Sequence, residues 1–448
     1  MRFTEISKGE NDRFSKTHPK GHIFQSSRWA TVKGHWETRY VGGYDDGGQL
    51  VLACVMLVRS ILPARIVYIP RGPVCAYGDH SLLRGFIEYL TAYCRENRIS
   101  FMILDPDVPV RINGIPEKTG EAAAQTLRRC GLKQKRTNGF EQIQAGSVYR
   151  IRWEHQGTSS GTCEKIFEGF DKKTRYNIRV ARRRGLSVEI CDRSALTADH
   201  MDAFCRLMEQ TGRRDHFIPR DRDYFLNMME RLYPNAKLFL VRYDPRLDLR
   251  RTREEMAALR ETLTMHDARC EKNPAPDDKE LAKREQITER LAGLRKRCER
   301  IAPMLNQGDI YLSGSIMAYW GDKSWYMYGA SADYCRDTMP NYLMQWEMIR
   351  YGVRLGLNMY DLRGVPAAPD PDDPLYGLYR FKKGFGGDLE EFPGSFYLVR
   401  NHLIYWLYCA AFTRFKTVRS VSMRLFTRIK GFLRIGAKDR MTVIEEDA

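Results

Sequence analysis

Apolar positions along the chain alternate between a period of two and a period near 3.6, and the alternation runs in the same order twice. After the turn Tyr44-Asp45-Asp46-Gly47-Gly48, the β-branched run Gln49 to Ile61 reads as a strand. Ala64 to Ile69, past Pro63, reads as a second. Leu82, Leu83, Phe86, Leu90 and Tyr93 then recur at helical spacing between Ser81 and Asn97, and Ile99 to Leu104 is a short strand closing in Asp105. The second round begins at Asp309. Strands are expected over Asp309 to Tyr319 and Ser324 to Tyr328, around the turn Gly321-Asp322-Lys323. A helix follows over Asn341 to Leu355 with Leu343, Trp346, Ile349 and Val353 on one face, then a strand over Leu357 to Leu362 ending near Asp361. This repetition predicts a duplicated α/β unit, although strand-strand-helix-strand also recurs in unrelated folds.

Two segments break the pattern. Leu249, Thr252, Met256, Leu259, Leu263, His266 and Cys270 form one heptad seam, and Ile287, Leu291, Leu294, Cys298, Ile301 and Leu305 another. The turn Asn273-Pro274-Ala275-Pro276 between them predicts an antiparallel helical hairpin over 245–305, inserted in the second unit and polar on its outer faces. From Leu403 to Ile435, Trp406, Phe412, Phe415, Val418, Leu425 and Ile429 recur at helical spacing among arginines and lysines, with no acidic residue from Asn401 to Ala437. A cationic amphipathic helix over 401–437 is expected, suited to an anionic membrane surface or to docking on the protein body.

Charge sharpens this picture. Lys and Arg number 73 against 56 Asp and Glu in 448 residues, a net charge of +17 that attracts phosphate-bearing partners. The longest apolar run, Leu403 to Phe412, is far shorter than the ~20 residues that span a bilayer. No leader is expected at the N-terminus. The 11 cysteines are scattered singly, and the histidines show no ligand spacing, so reduced thiols and no metal site are expected.

Three segments could carry chemistry. Phe170 to Gly185 reads FDKKTRYNIRVARRRG, and on a helix Lys172, Arg175, Arg179 and Arg182 share one face, with Lys173 beside them. Such a stripe suits phosphate or is simply solvated. In RRDHFIPRDRDYF, Arg213 to Phe225, Arg220 and Tyr224 are four apart and would meet on one helical turn as an anion clamp or a surface pair. In LYGLYRFKKGFGGDLE, Leu375 to Glu390, two lysines lie between aromatics and Gly384, Gly386 and Gly387, where backbone can approach a ligand closely. An ordinary Gly-rich hairpin fits this stretch equally well. No phosphate-binding Walker loop, acyl-CoA pyrophosphate loop or nucleophile triad is present. An enzyme of this sequence would work by positioning and electrostatics.

HIFQSSRWATVK (His22 to Lys33), Phe170 to Gly185, YMYGASA (Tyr326 to Ala332) and LYRFKKGFGG (Leu378 to Gly387) together resemble the FemABX peptidyltransferases, in that family's order and over nearly the whole chain. The resemblance implies an α/β fold of two tandem GNAT-like (acetyltransferase-like) domains, 1–150 and 151–400, the last part of the second returning to the first, with the hairpin as an inserted coiled-coil arm. It implies an enzyme that moves an amino acid from aminoacyl-tRNA to the stem-peptide amine of a peptidoglycan precursor, lipid II or UDP-MurNAc-pentapeptide. No cofactor and no stable DNA partner are implied, and the place of action would be the cytoplasmic face of the plasma membrane. Lys382 would face the developing oxyanion, with the Phe381 backbone as a second donor. Lys33, Arg220, Tyr224 and Tyr328 would hold the precursor's phosphates and sugar–peptide portion, and Asp105 would lie near the acceptor peptide. Lys172, Lys173, Arg175, Arg179 and Arg182 are expected to meet tRNA phosphates. The competing readings are a transferase acting on protein N-termini and a non-catalytic tRNA- or membrane-binding scaffold.

Overall fold

The computed structural model describes residues 1–61, 63–135, 143–271, 278–367 and 369–410 as a mixed α/β chain built on two sheets. In the first sheet, Leu50–Ile61 pairs antiparallel with Ala64–Pro70, which pairs in parallel with Phe101–Asp105 after the crossover helix His80–Glu96. In the second, Ile310–Trp320 pairs antiparallel with Lys323–Ser331, which pairs in parallel with Met359–Gly364 after the crossover helix Pro340–Arg354. A parallel neighbour needs such a crossover, which covers one face of its sheet. The first helix does so with Leu82, Leu83, Phe86, Ile87 and Leu90, all buried. At ~1.5–3 kcal/mol per buried side chain, this face rather than helix propensity holds the helix in place.

The sheets exchange strands. Ser395–Val399 returns from the far end of the chain to pair with both Phe101–Asp105 and Lys133–Lys135 in the first sheet. The small hairpin Arg111–Ile112 and Ile115–Pro116 leaves the first region and extends the second sheet through Asp388–Glu391.

Helices Pro245–Glu271 and Asp278–Ile301 run antiparallel, with Arg284 on Asp267 and Arg290 on Glu255 across their interface. At their base Arg297 is buried against Asp248 and reaches Asp337, while the Tyr243 hydroxyl donates to Asp248 at 2.8 Å. The proline turn between the helices lies outside the described residues. Of the expected C-terminal helix, 402–410 is described and helical, and the remainder lies outside. Among the described residues no helix is long and apolar enough to cross a membrane.

Between the sheets lies a buried ion network centred on Arg150. Its guanidinium donates to Asp107 at 2.7 Å, to Asp361 at 2.9 Å and to Glu390 at 2.9 Å. Asp107 follows the first sheet's strand Phe101–Asp105, whereas Asp361 and Glu390 stand on the two strands flanking Ser147–Arg152. Burial alone would raise the Asp107 carboxyl, but Arg150 overrides it and holds the group well below the usual carboxylate range. Removing one member of a buried charge cluster strands the others, at a cost of about 3–5 kcal/mol. Arg150→Met is therefore expected to lower unfolding free energy by about that amount in chemical denaturation, and a change within ~0.5 kcal/mol would show that the cluster does not hold the sheets together.

Candidate functional site

His22 to Lys33 bridges the two sheets, which accounts for most of its residues. Gln25 is fully buried and reads the first sheet, its amide donating to the Pro70 carbonyl at 2.7 Å and accepting from the Val55 N–H at 2.8 Å. Ile23, Phe24, Trp29 and Val32 pack into the same core as the second sheet. Ser26 caps the short helix Ser27–Val32, and Lys33 ends it. This delivers the Lys33 ammonium to 4.9 Å from the Trp29 ring centre and 5.7 Å from that of Tyr224.

Tyr224 gathers the rest of this cluster. Its hydroxyl lies 3.0 Å from that of Tyr328, and the Arg220 guanidinium stands 5.1 Å from its ring centre. Burial, reinforced by Tyr224, holds the Tyr328 hydroxyl well above the ordinary tyrosine range, so it remains a neutral donor. The geometry expected for Arg220 and Tyr224 needs correction. Asp221 caps the helix Arg222–Leu232, so Arg220 precedes it and shares no helical turn with Tyr224. The two meet because the chain folds the guanidinium back over the ring, a cation–π contact.

Lys382 lies on the helix Tyr376–Lys383 and is 4% exposed. Its ammonium donates to the Gly364 carbonyl at 2.8 Å and sits 5.8 Å from the Tyr326 ring centre. Burial pulls its pKa from 10.5 to about 7, with Asp361 pulling it back up and Arg363 pushing it further down. A lysine ammonium carries three donors, and one is engaged here. The helix also corrects the expectation for Phe381. Phe381 is its sixth residue, past the four whose N–H groups lack an intrahelical acceptor, so that N–H points along the helix rather than toward a ligand. Its ring instead packs on Tyr342 at 4.9 Å and Phe385 at 5.3 Å, closing the apolar wall.

The glycines after this helix serve the protein itself. A Cβ on Gly387, whose φ is +82°, would meet the Arg150 carbonyl at 2.5 Å, so the close approach is to backbone of the central strand. The same turn rims a recess of about 650 Å³ bordered by Trp153, Lys165 and Asn358. Gly329 has a similar purpose. A Cβ there would collide with the Tyr326 hydroxyl, so the Gly of YMYGASA lets Tyr326 lie against its own strand beside Lys382.

Asp105 is 2% exposed and accepts from the Tyr68 hydroxyl at 2.7 Å and the Arg71 N–H at 2.6 Å. Burial raises its carboxyl to about 6, with the Arg71 charge opposing. Arg363 is the residue that sequence reasoning passed over. It follows Asp361 with a φ of 64°, its N–H donates to that carboxylate at 2.6 Å, and its charge acts on Asp105, Tyr328 and Lys382. Only the turn after the strand ending near Asp361 could have flagged it.

The basic helix Lys172–Arg183 abuts the Lys382 helix. The Asp171 N–H donates to the Gly384 carbonyl at 3.0 Å, and Thr174 lies under Gly384. Its stripe is less bare than expected. Arg175 donates to the Glu168 carbonyl, Arg179 lies over Phe167, and Arg182 pairs with Glu347, while Lys172 and Lys173 are exposed. Among the described residues no three His, Cys, Asp or Glu side chains are grouped to hold a metal ion.

If Tyr326 walls Lys382, an amine-reactive label should modify exposed Lys383 well before Lys382. Gly329→Ala should bring the two rates together in peptide mass spectrometry, and equal rates in the unsubstituted protein would contradict this packing.

Known proteins share this arrangement. The FemAB family's sequence model matches residues 6–412. The lipid II:glycine glycyltransferase of Staphylococcus aureus (strain MSSA476) is 30% identical over 422 residues, covering 91% of this chain and 95% of that protein. The protein of the same name from Staphylococcus epidermidis (strain ATCC 35984) is 31% identical over 415 residues, with the same coverage. The crystal structure of FemX superposes with a TM-score of 0.69 at 29% identity, covering 91% of this chain and 99% of that one.

Proposed function

The chain belongs to the FemAB family, and we propose that it transfers an amino acid from aminoacyl-tRNA to the stem-peptide amine of a peptidoglycan precursor, with lipid II as acceptor. The names of the staphylococcal relatives support the acceptor, and the net charge of +17 suits two phosphate-bearing substrates. The same reading treats the two sheets as tandem acetyltransferase-like units, 1–150 and 151–400, with the paired helices as an arm over 245–305. It places the enzyme at the inner face of the plasma membrane.

The observation that carries the reading is Lys382, a desolvated ammonium whose bond from Nζ goes to a carbonyl and not to a carboxylate. In the reaction the acceptor amine nitrogen attacks the ester carbonyl carbon of the aminoacyl-tRNA. A C–N bond forms, and the carbonyl oxygen takes up negative charge. Lys382 offers its uncommitted donors to that oxygen, in a medium where the charge is poorly screened. The adduct then expels the ribose oxygen, which leaves with the proton lost by the amine, and an amide remains. Asp105, ionised above about pH 6, is placed to accept a hydrogen bond from the acceptor amine. Lys33 and Arg220 hold the precursor's phosphates, the hydroxyls of Tyr224 and Tyr328 bind its sugar–peptide portion, and Phe381 supplies an apolar wall. Lys172, Lys173, Arg175, Arg179 and Arg182 track the tRNA backbone leading to Lys382.

Two outcomes follow. Lys382→Ala should lower kcat by ~10²–10³ while leaving the Kd for tRNA and acceptor within about twofold, whereas Lys33→Ala should chiefly raise the acceptor KM. A scaffold would keep both substrates bound and show no turnover in any variant. The pH profile gives the second. Because the cation is the working form, single-turnover rates at sub-saturating substrate should fall as pH rises through about 7, where Lys382 loses its proton, and fall again below about 6 as Asp105 gains one. Bound phosphates favour the ammonium, so saturating substrate should move the alkaline limb upward. A rate that climbs steadily from pH 6 to 9 would contradict the role given to Lys382.

A further inference from the structure

A second cationic surface lies on other elements of the first sheet. The helix His80–Glu96 turns its leucines inward, and Arg84, Glu88, Thr91 and Arg95 line its outer face. Helix Lys118–Arg129 ends beside it in Arg129, and Arg400 follows the strand Ser395–Val399. Together they border a recess of about 450 Å³. Arg84, Arg95, Arg129 and Arg400 are all exposed, and none forms a salt bridge among the described residues, leaving Glu88 as the carboxylate on the recess wall. Guanidinium groups gathered without counter-ions create a field that an anion relieves.

Two residues beyond Arg400 the helix 402–410 begins, and its two faces differ. Tyr405 and Tyr408 pack on Phe101, at 5.6 and 4.9 Å, and fix the helix to the first sheet. The other face presents Leu403, Trp406 and Leu407 at i, i+3 and i+4, with 66%, 63% and 50% of their surfaces in water. The sequence from there to Ala437 contains no acidic residue. An RNA would use the arginines but gains little from two exposed leucines. The surface of an anionic bilayer uses both, taking phosphates onto guanidinium groups and apolar side chains into the acyl boundary.

We propose that this face docks the protein onto an anionic bilayer, with lipid phosphate headgroups in the recess bordered by Arg84, Arg95, Arg129 and Arg400, and with Leu403, Trp406 and Leu407 inserted beside it. The purpose of the docking, delivery of a membrane-borne acceptor, rests on the reading given under Proposed function, and the binding itself can be measured independently.

The test is co-sedimentation of the full chain with vesicles of phosphatidylglycerol and phosphatidylcholine, against phosphatidylcholine alone. The unsubstituted protein should partition at least ~10-fold better onto the anionic vesicles. Arg84→Gln/Arg95→Gln/Arg129→Gln/Arg400→Gln should lose on the order of 10²-fold in partitioning, and Leu403→Ser/Trp406→Ser/Leu407→Ser on the order of 10-fold or more. Circular dichroism checks the fold of each variant. The four arginines are exposed, so that variant remains informative if the helix variant unfolds. Transfer from aminoacyl-tRNA to a water-soluble UDP-linked acceptor should be unchanged in both. Equal partitioning onto the two vesicle types, or binding that survives both sets of substitutions, overturns the docking face. So does an arginine variant that loses tRNA affinity but keeps vesicle binding. Absence of soluble-acceptor transfer in the unsubstituted protein would instead sink the catalytic reading and leave the docking face standing.

Discussion

Arg150 is the constraint on which the site depends. Its three carboxylate partners come from a first-sheet loop and two second-sheet strands, so a single guanidinium ties the sheets together. The network also fixes the electrostatics next door. Asp361 gives one oxygen to Arg150 and the other to the Arg363 N–H. Its lone pairs are thus largely committed, and Lys382, two strand ends away in the same buried region, finds a backbone carbonyl as its partner. A lysine paired to a carboxylate would be more stable and less able to respond to a new anion. The ion cluster therefore takes up the negative charge that would otherwise quench the lysine.

The same logic extends to the binding cluster. Lys33 arrives from a segment clamped to one sheet by Gln25 and packed against the other by Phe24 and Trp29. Its partners Tyr224 and Tyr328 belong to a helix and a strand of the second sheet. Lys33 and Tyr224 can face each other only while the sheets keep their relation. Arg363, whose charge reaches Asp105, Tyr328 and Lys382, marks where the two clusters meet. Preorganisation of this kind places donors before charge develops, which is how an active site stabilises an adduct without reorganising.

Local geometry was legible in the sequence. The spacing of Leu343, Trp346, Ile349 and Val353 puts a helix within a residue of Pro340–Arg354, and the stripe of Phe170 to Gly185 falls on the helix Lys172–Arg183. Both signals are short-range periodicities set by burial of one face. What escaped depends on contacts between distant residues. Arg150 meets Asp361 across 211 positions and Glu390 across 240, and no pattern near Arg150 announces either. The recess glycines look like ligand glycines because sequence cannot tell whose backbone approaches them. For Gly387 it is the protein's own. Arg220 was misplaced for a different reason. Its spacing from Tyr224 is helical, but Asp221 between them is a strong N-cap and starts the helix after it. Phe381 was read as a backbone donor because the aromatic–lysine run gave no sign of being a helix.

The account stands on the state of one side chain, a lysine desolvated among aromatics with no carboxylate partner. Lysine-selective isotope labelling with NMR titration of the Nζ resonance, assigned by its loss in Lys382→Arg, measures that state directly. A midpoint near 7 in the free protein, moving upward when a phosphate-bearing acceptor binds, is the predicted result. A midpoint near 10.5, unmoved by ligand, would mean that the ammonium is solvated or already neutralised, and the proposed catalysis would have no physical basis.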